Sequence, residues 1–357
     1  MALSSHQLTP EIIAALDTQN MRGSIAVFEQ QVMDAWTEAS KVNVPKAEGI
    51  THIACFAMGG SALGMDVVRA ACADQLKVPV TIINDYTIPA SVNAHTFVVL
   101  SSYSGTTEET LAAAEKILNI TQHVVVITTG ATLASWAQQH NVPAYVYTPR
   151  FNPSNQPRMA IGYSIGSIAG VLSTAGLLQL TSTHMEEVVA GIRYAQSVCT
   201  DLNEHNPALM LAEQCAERIP VLFSSEHLEG IVHAVTNQIN ENGKLFAVRF
   251  PLPEANHHLT EALVAPHTLP QLATFIGINS TLYHPRNQVR YALTEQLLTS
   301  RGFRAITYTT HSTTKFGQLG EALTLGGWIS FYLAMLGQID PSPIPNVDWF
   351  KAQLKNA

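Results

Sequence analysis

The chain has 357 residues, a formal charge of −8, 46% apolar residues and only 13% charged ones. That length holds about two ordinary domains, and the low charge density excludes a disordered or solvating chain. The 19 Lys and Arg residues form no cationic block, which argues against a nucleic-acid surface or an anionic-membrane surface.

Residues 1–45 read as helical, with Ile25, Val27, Phe28, Val32, Ala35 and Trp36 at helical spacing. The start, Met1-Ala2-Leu3-Ser4-Ser5-His6, lacks a basic stretch followed by an apolar core. No secretory signal is expected, and a soluble, cytoplasmic protein is. From residue 46 short apolar runs alternate with helical patterns. Strands are expected at 53–57, 78–83, 96–100, 123–128 and 144–147, and a long small-residue helix at 159–179. A polar helical connector over 185–205 follows. The alternation then restarts with strands at 221–223, 245–250, 273–278 and 305–308 and a helix over 229–242.

Such alternation predicts βαβ units around parallel sheets, whose strands are covered on both faces and therefore read as nearly continuous apolar runs. The fold expected is α/β with two doubly wound, flavodoxin-like domains, 46–184 and 206–357, preceded by the helical segment 1–45 and joined by the connector. The apolar stretches 161–180 and 323–339 are interrupted by small and hydroxyl residues and read as buried helices, since a membrane span needs a cleaner run. Cys55, Cys72, Cys199 and Cys215 show neither a C-x-x-C pair nor zinc spacing and read as buried, reduced thiols.

Two loops stand at the carboxyl ends of predicted strands, the edge where open α/β sheets bind ligands. One is Met58-Gly59-Gly60-Ser61-Ala62-Leu63-Gly64. The other runs from Ser101 through Ser102, Tyr103, Ser104, Gly105, Thr106 and Thr107 into Glu108 and Glu109. The second places five Ser and Thr hydroxyls in seven positions and then opens a helix. Short hydroxyl donors, backbone N–H groups and the positive end of a helix dipole together suit a phosphate. A capping box from Thr106 to Glu109 accounts for one or two of the hydroxyls and leaves three over. Gly59, Gly60 and Gly64 do not match the dinucleotide fingerprint, and Gly243-Lys244 does not complete a Walker A loop.

In the second half, Glu241 closes a predicted helix just before Asn242-Gly243-Lys244. A carboxylate at a helix C-terminus has its pKa raised by the dipole, which suits a general base, while an exposed residue beside a C-cap fits the same spacing. Sixteen residues on, His257-His258 follows Pro253-Glu254-Ala255-Asn256. No metal-ligand pattern accompanies the pair. A neutral-range acid–base histidine and a loop histidine without a role both fit.

Met58-Gly59-Gly60-Ser61, the serine loop 102–108, Gln156-Pro157-Arg158, Asn240-Glu241-Asn242-Gly243-Lys244, Glu254-Ala255-Asn256-His257 and the tail Asp340-Pro341-Ser342-Pro343 together resemble the bifunctional phosphoglucose/phosphomannose isomerase family, built from two sugar-isomerase (SIS) domains. The pieces occur in family order over nearly the whole chain. Thr106 stands where relatives often carry Asn, Ala57 where Gly is usual, and Ser342 replaces a Thr.

The resemblance implies roles. Gly60, Ser61, Ser102, Ser104 and Thr107 would hold the phosphate of a hexose 6-phosphate. Arg158 would stabilise the enediolate, and Glu241 would move the proton between C1 and C2. His257 would serve ring opening from the second subunit of a homodimer, assisted by a C-terminal lysine, Lys351 in preference to Lys355. His258 stands beside His257 as the alternative imidazole. No metal or other cofactor is implied. Two other readings share the loops: a non-catalytic SIS protein that binds a phosphosugar and signals to a partner, and an amino-sugar phosphate isomerase.

Overall fold

The computed structural model describes residues 2–354. Three helices, α1 (Pro10–Leu16), α2 (Met21–Ala26) and α3 (Phe28–Ala39), precede the first sheet. Thr9 caps α1 through its side chain, and Pro10 occupies the first turn, where its missing N–H costs nothing.

The first half then alternates as β1 (His52–Ala57), α4 (Gly59–Ala71), β2 (Val80–Ile83), β3 (Thr96–Ser102), α5 (Glu108–Ile117), β4 (Val124–Thr128), α6 (Ala131–Gln139), β5 (Ala144–Val146) and α7 (Ile161–Ala175). The strands pair in parallel in the order β2-β1-β3-β4-β5. β3 and β4 are buried at every position, as their apolar runs require.

Two helices, α8 (Ser182–Cys199) and α9 (Pro207–Cys215), lead to the second half. It runs β6 (Ile219–Ser224), α10 (Glu229–Glu241), β7 (Val248–Pro251), α11 (Ala255–His258), α12 (Leu269–Leu272), β8 (Ala273–Asn279), α13 (Pro285–Ser300), β9 (Arg304–Thr309), α14 (Lys315–Leu336) and α15 (Pro345–Leu354). Its parallel sheet has the order β7-β6-β8-β9. This is the first sheet's order without the last strand. The duplication is therefore plain in topology, although the two halves do not visibly match in sequence.

The parallel α/β expectation holds, with two local differences. The stretch predicted as a polar helical connector is helical, as α8, but it is not polar all round. Its face of Met185, Val188, Gly191, Ile192 and Ala195 is buried. It meets α14 so closely that a Cβ on Gly191 would lie 1.8 Å from the Gly317 carbonyl oxygen. That contact helps to bury α14 from Phe316 to Leu336. Among the described residues α14 is the helix long and apolar enough to cross a membrane by length and composition, yet its apolar window lies wholly inside the protein.

The second difference is β7, which starts at Val248 and not at Leu245. Lys244 takes a left-handed backbone (φ 53°), and Asn240 bonds the main chain of Ala247 at both its N–H and its carbonyl. The segment between them is thus held as a loop. All four cysteines are free and buried, and burial pushes each thiol up to about 12.

Candidate active site

In a sheet of this order the chain leaves β1 and β3 toward opposite neighbours, so their carboxyl ends frame a crevice. Met58 is extended, and Gly59 turns the chain into α4 with φ 50°, a conformation that favours glycine. From β3, Ser102 begins a turn closed by the Gly105 N–H on its carbonyl at 3.2 Å. Gly105 has φ 68°, and a Cβ there would lie 2.0 Å from the Gly130 carbonyl oxygen.

The hydroxyls are arranged among themselves. Ser102 Oγ lies 2.8 Å from Thr107 Oγ1 and accepts the Gly105 N–H at 3.1 Å. Ser104 Oγ accepts from both Thr106 N–H and Thr106 Oγ1. Ser61 Oγ accepts the Tyr103 N–H at 3.1 Å and so joins the two loops. The expected capping box does not form. Thr107 is the residue flanking α5, and its side chain makes no capping bond. Thr107 bonds Ser102 instead, because the turn at Gly105 brings the two together.

Arg158 sits in a short 3₁₀ turn, Pro157–Met159, and is 8% exposed. A Cβ on Gly60 would be 3.8 Å from Arg158 Cα, so the glycine loop rests on this turn. The guanidinium is held in three directions. Nε donates to Asn242 Oδ1 at 2.7 Å, Nη1 to Gln156 Oε1 at 2.7 Å, and Nη2 to the carbonyls of Pro341 and Ser342 at 3.0 and 2.7 Å.

Glu241 is the last residue of α10. Its carboxylate has no hydrogen-bond partner among the described residues, and burial raises its pKa against the opposing charges of Arg158, Lys244 and Lys351. The helix-end reading holds only in part. Asn242 is the C-cap residue, but Glu241 is half-buried among cations and not simply exposed. Burial also lowers the pKa of Arg158, with Glu241 pulling it back up.

A glycine loop, a hydroxyl-rich turn, a pinned guanidinium and an uncommitted carboxylate thus surround one end of the first sheet. Residues 204–354 match the model of the bacterial phospho-glucose isomerase C-terminal SIS domain. A bifunctional phosphoglucose/phosphomannose isomerase of Caldicellulosiruptor bescii is 29% identical over 93% of this chain and 98% of its own. One from Pyrobaculum calidifontis is 30% identical over 66% of this chain and 75% of its own. The chain belongs to the bifunctional phosphoglucose/phosphomannose isomerase family. A hypothetical protein of Thermus thermophilus shares the fold, with a TM-score of 0.74 at 17% identity, covering 97% of this chain and 93% of that one.

The remaining residues that the family resemblance singles out stand on other elements than α10. His257 and His258 are exposed on α11. Asn256 of that helix bonds Thr294 and Arg290 of α13, whereas α10 packs on α4 and α14. Lys351 is exposed on α15, and its charge is felt at Glu241. Lys355 lies outside the described residues.

The second half of this phosphoglucose/phosphomannose isomerase family member explains why its own sheet edge looks different. Glu226 occupies the position of Gly59, with φ 48° against 50°. Its carboxylate accepts the His284 N–H at 2.7 Å and Asn287 Nδ2 at 2.8 Å, at the start of α13. The chain thus places its own anion at the helix that corresponds to α5. Sequence reading missed Glu226 because the halves differ at this very position. It also passed over Gln156 and Asn242 as partners of Arg158, although both stand in the motifs quoted above.

Proposed function

We propose that this chain is an aldose–ketose isomerase that interconverts glucose 6-phosphate or mannose 6-phosphate with fructose 6-phosphate, working as a cytoplasmic homodimer. The observation that carries this reading is Glu241: a half-buried carboxylate without a hydrogen-bond partner among the described residues, beside an arginine that is pinned through four of its five N–H donors and whose backbone supports the glycine loop. A carboxylate so placed is free to take a proton.

The substrate phosphate, carrying about −1.5 to −2 charge, would bind at Gly60, Ser61, Ser102, Ser104 and Thr107. Binding at that remote end positions C1 and C2 over the base. Glu241 removes the proton from C2, and Arg158 stabilises the negative charge growing on oxygen. The same carboxyl returns the proton to C1, while the hydroxyl proton passes from O2 to O1, so that the C1 carbonyl becomes a hydroxyl and C2 becomes the carbonyl. Its raised pKa suits both directions of transfer. His257, exposed and held on the α13 side of its own chain, would act at the partner's site, and Lys351 would assist ring opening.

Incubating the protein with each hexose phosphate in deuterated water tests the reaction. Deuterium at C2 of the aldose together with the predicted product is expected. Binding without exchange would reassign the protein to phosphosugar sensing. Shared sites have their own test. Chains carrying Glu241→Gln and chains carrying His257→Gln, each inactive alone, should recover about one quarter of wild-type activity when mixed and reassociated, since half the dimers then hold one intact site. No recovery on confirmed mixing would place both groups in one chain.

A further inference from the structure

The Asn-Glu-Asn-Gly-Lys motif ends in a lysine to which the mechanism above gives no task. Lys244 follows the C-terminus of α10 in a left-handed conformation (φ 53°) that a lysine rarely adopts. Its Nζ donates to the Glu241 carbonyl at 2.6 Å and to the Pro343 carbonyl at 2.5 Å. The first acceptor is one of the last-turn carbonyls that a helix leaves without an internal partner. The second belongs to the strap Asp340-Pro341-Ser342-Pro343.

That strap is anchored elsewhere too. Asp340 accepts from Thr18 Oγ1 at 2.6 Å and from the Ser342 N–H at 2.8 Å. Pro341 and Ser342 offer their carbonyls to Arg158, which also bonds Asn242. The contacts form a closed ring: the end of α10, Arg158, the strap, Lys244, and the end of α10 again. Lys244 is the link that joins the strap to the residue bearing the carboxylate. The strap then runs into α15, which carries Lys351.

We propose that Lys244 is a positioning residue: it clasps the C-terminal strap to the end of α10 and so sets Glu241 against Arg158. This rests on the reading of Glu241 as the base. Lys244 need not touch the sugar. Its ammonium fixes two backbone segments and adds positive charge beside Glu241.

The test uses the full chain with Lys244→Met, Lys244→Gln and Lys244→Arg, each checked for folding by thermal melting. Lys244→Met should lower kcat about 10- to 100-fold, the scale expected for a misplaced base, and leave KM within about threefold, because the phosphate loops are untouched. The pH profile separates positioning from mere stability. Glu241 faces the charges of Arg158, Lys244 and Lys351, while Asp340 faces Arg158 and Lys244, and Asp348 faces Arg158. Losing one of the three cations should move the acidic limb of kcat/KM to higher pH in Lys244→Gln and Lys244→Met. Lys244→Arg should restore the limb and most of kcat.

If Lys244→Met does not fold, Lys244→Gln carries the decision, since it keeps a polar donor and removes the charge. A folded Lys244→Gln or Lys244→Met enzyme with wild-type kcat and an unmoved acidic limb would overturn the proposal. If Glu241→Gln also kept its activity, the assignment of the base itself would fail. An inactive Glu241→Gln alongside a normal Lys244→Met would refute the clasp alone.

Discussion

Replacing Arg158 by Met should lower kcat by about two to three orders of magnitude, the usual loss when a preorganised donor to a developing oxyanion is removed. The same change should destabilise the fold. Asn242 Oδ1, Gln156 Oε1 and the carbonyls of Pro341 and Ser342 would lose their donor together. A buried acceptor left without a partner costs about 1–3 kcal/mol. Arg158→Lys separates the two effects. It keeps the charge but lacks the planar fork that reaches three directions at once, so it should melt nearer the wild type and still lose at least about tenfold in kcat. Steady-state kinetics and thermal melts on both variants provide the comparison. A Met variant with normal turnover would remove Arg158 from the mechanism.

Glu241→Gln should lower kcat by about two to four orders of magnitude, the contribution of a positioned general base. The phosphate loops lie on the other half of the chain and should bind as before. In the wild type the base works only when deprotonated. Because burial raises its pKa, kcat/KM should fall as pH drops, on a limb lying above the ordinary glutamate range. The limb should vanish from whatever activity the Gln variant retains. A limb at the ordinary glutamate value, or an unchanged one in the variant, would point to another group.

The parallel sheets were legible because their strands, covered on both faces, read as unbroken apolar runs such as residues 96–100 and 124–128. The hydroxyl-rich loop was legible for a related reason. Five hydroxyls before a helix exceed what capping uses, and the structure indeed leaves Thr107 without a capping bond. What escaped was set by long-range contact. The electrostatic setting of Glu241 depends on Arg158, in the other half of the chain, and on Lys244 and Lys351. The start of β7 depends on a left-handed Lys244 that no local propensity favours. The buried face of α8 depends on α14, distant in sequence, which brings Gly317 against Gly191. The equivalence of the halves is hidden by Glu226, which shares a backbone shape with Gly59 and nothing of its chemistry.

The proposed mechanism requires phosphate capture and proton transfer to reside on separate parts of one site. Glu241→Gln protein, incubated with fructose 6-phosphate in deuterated water, measures both at once: affinity by titration and proton transfer by the appearance of carbon-bound deuterium in NMR spectra. Affinity within about threefold of wild type, with deuterium incorporation slowed by at least about a hundredfold, is the predicted result. Incorporation at the wild-type rate would show that another group carries the proton.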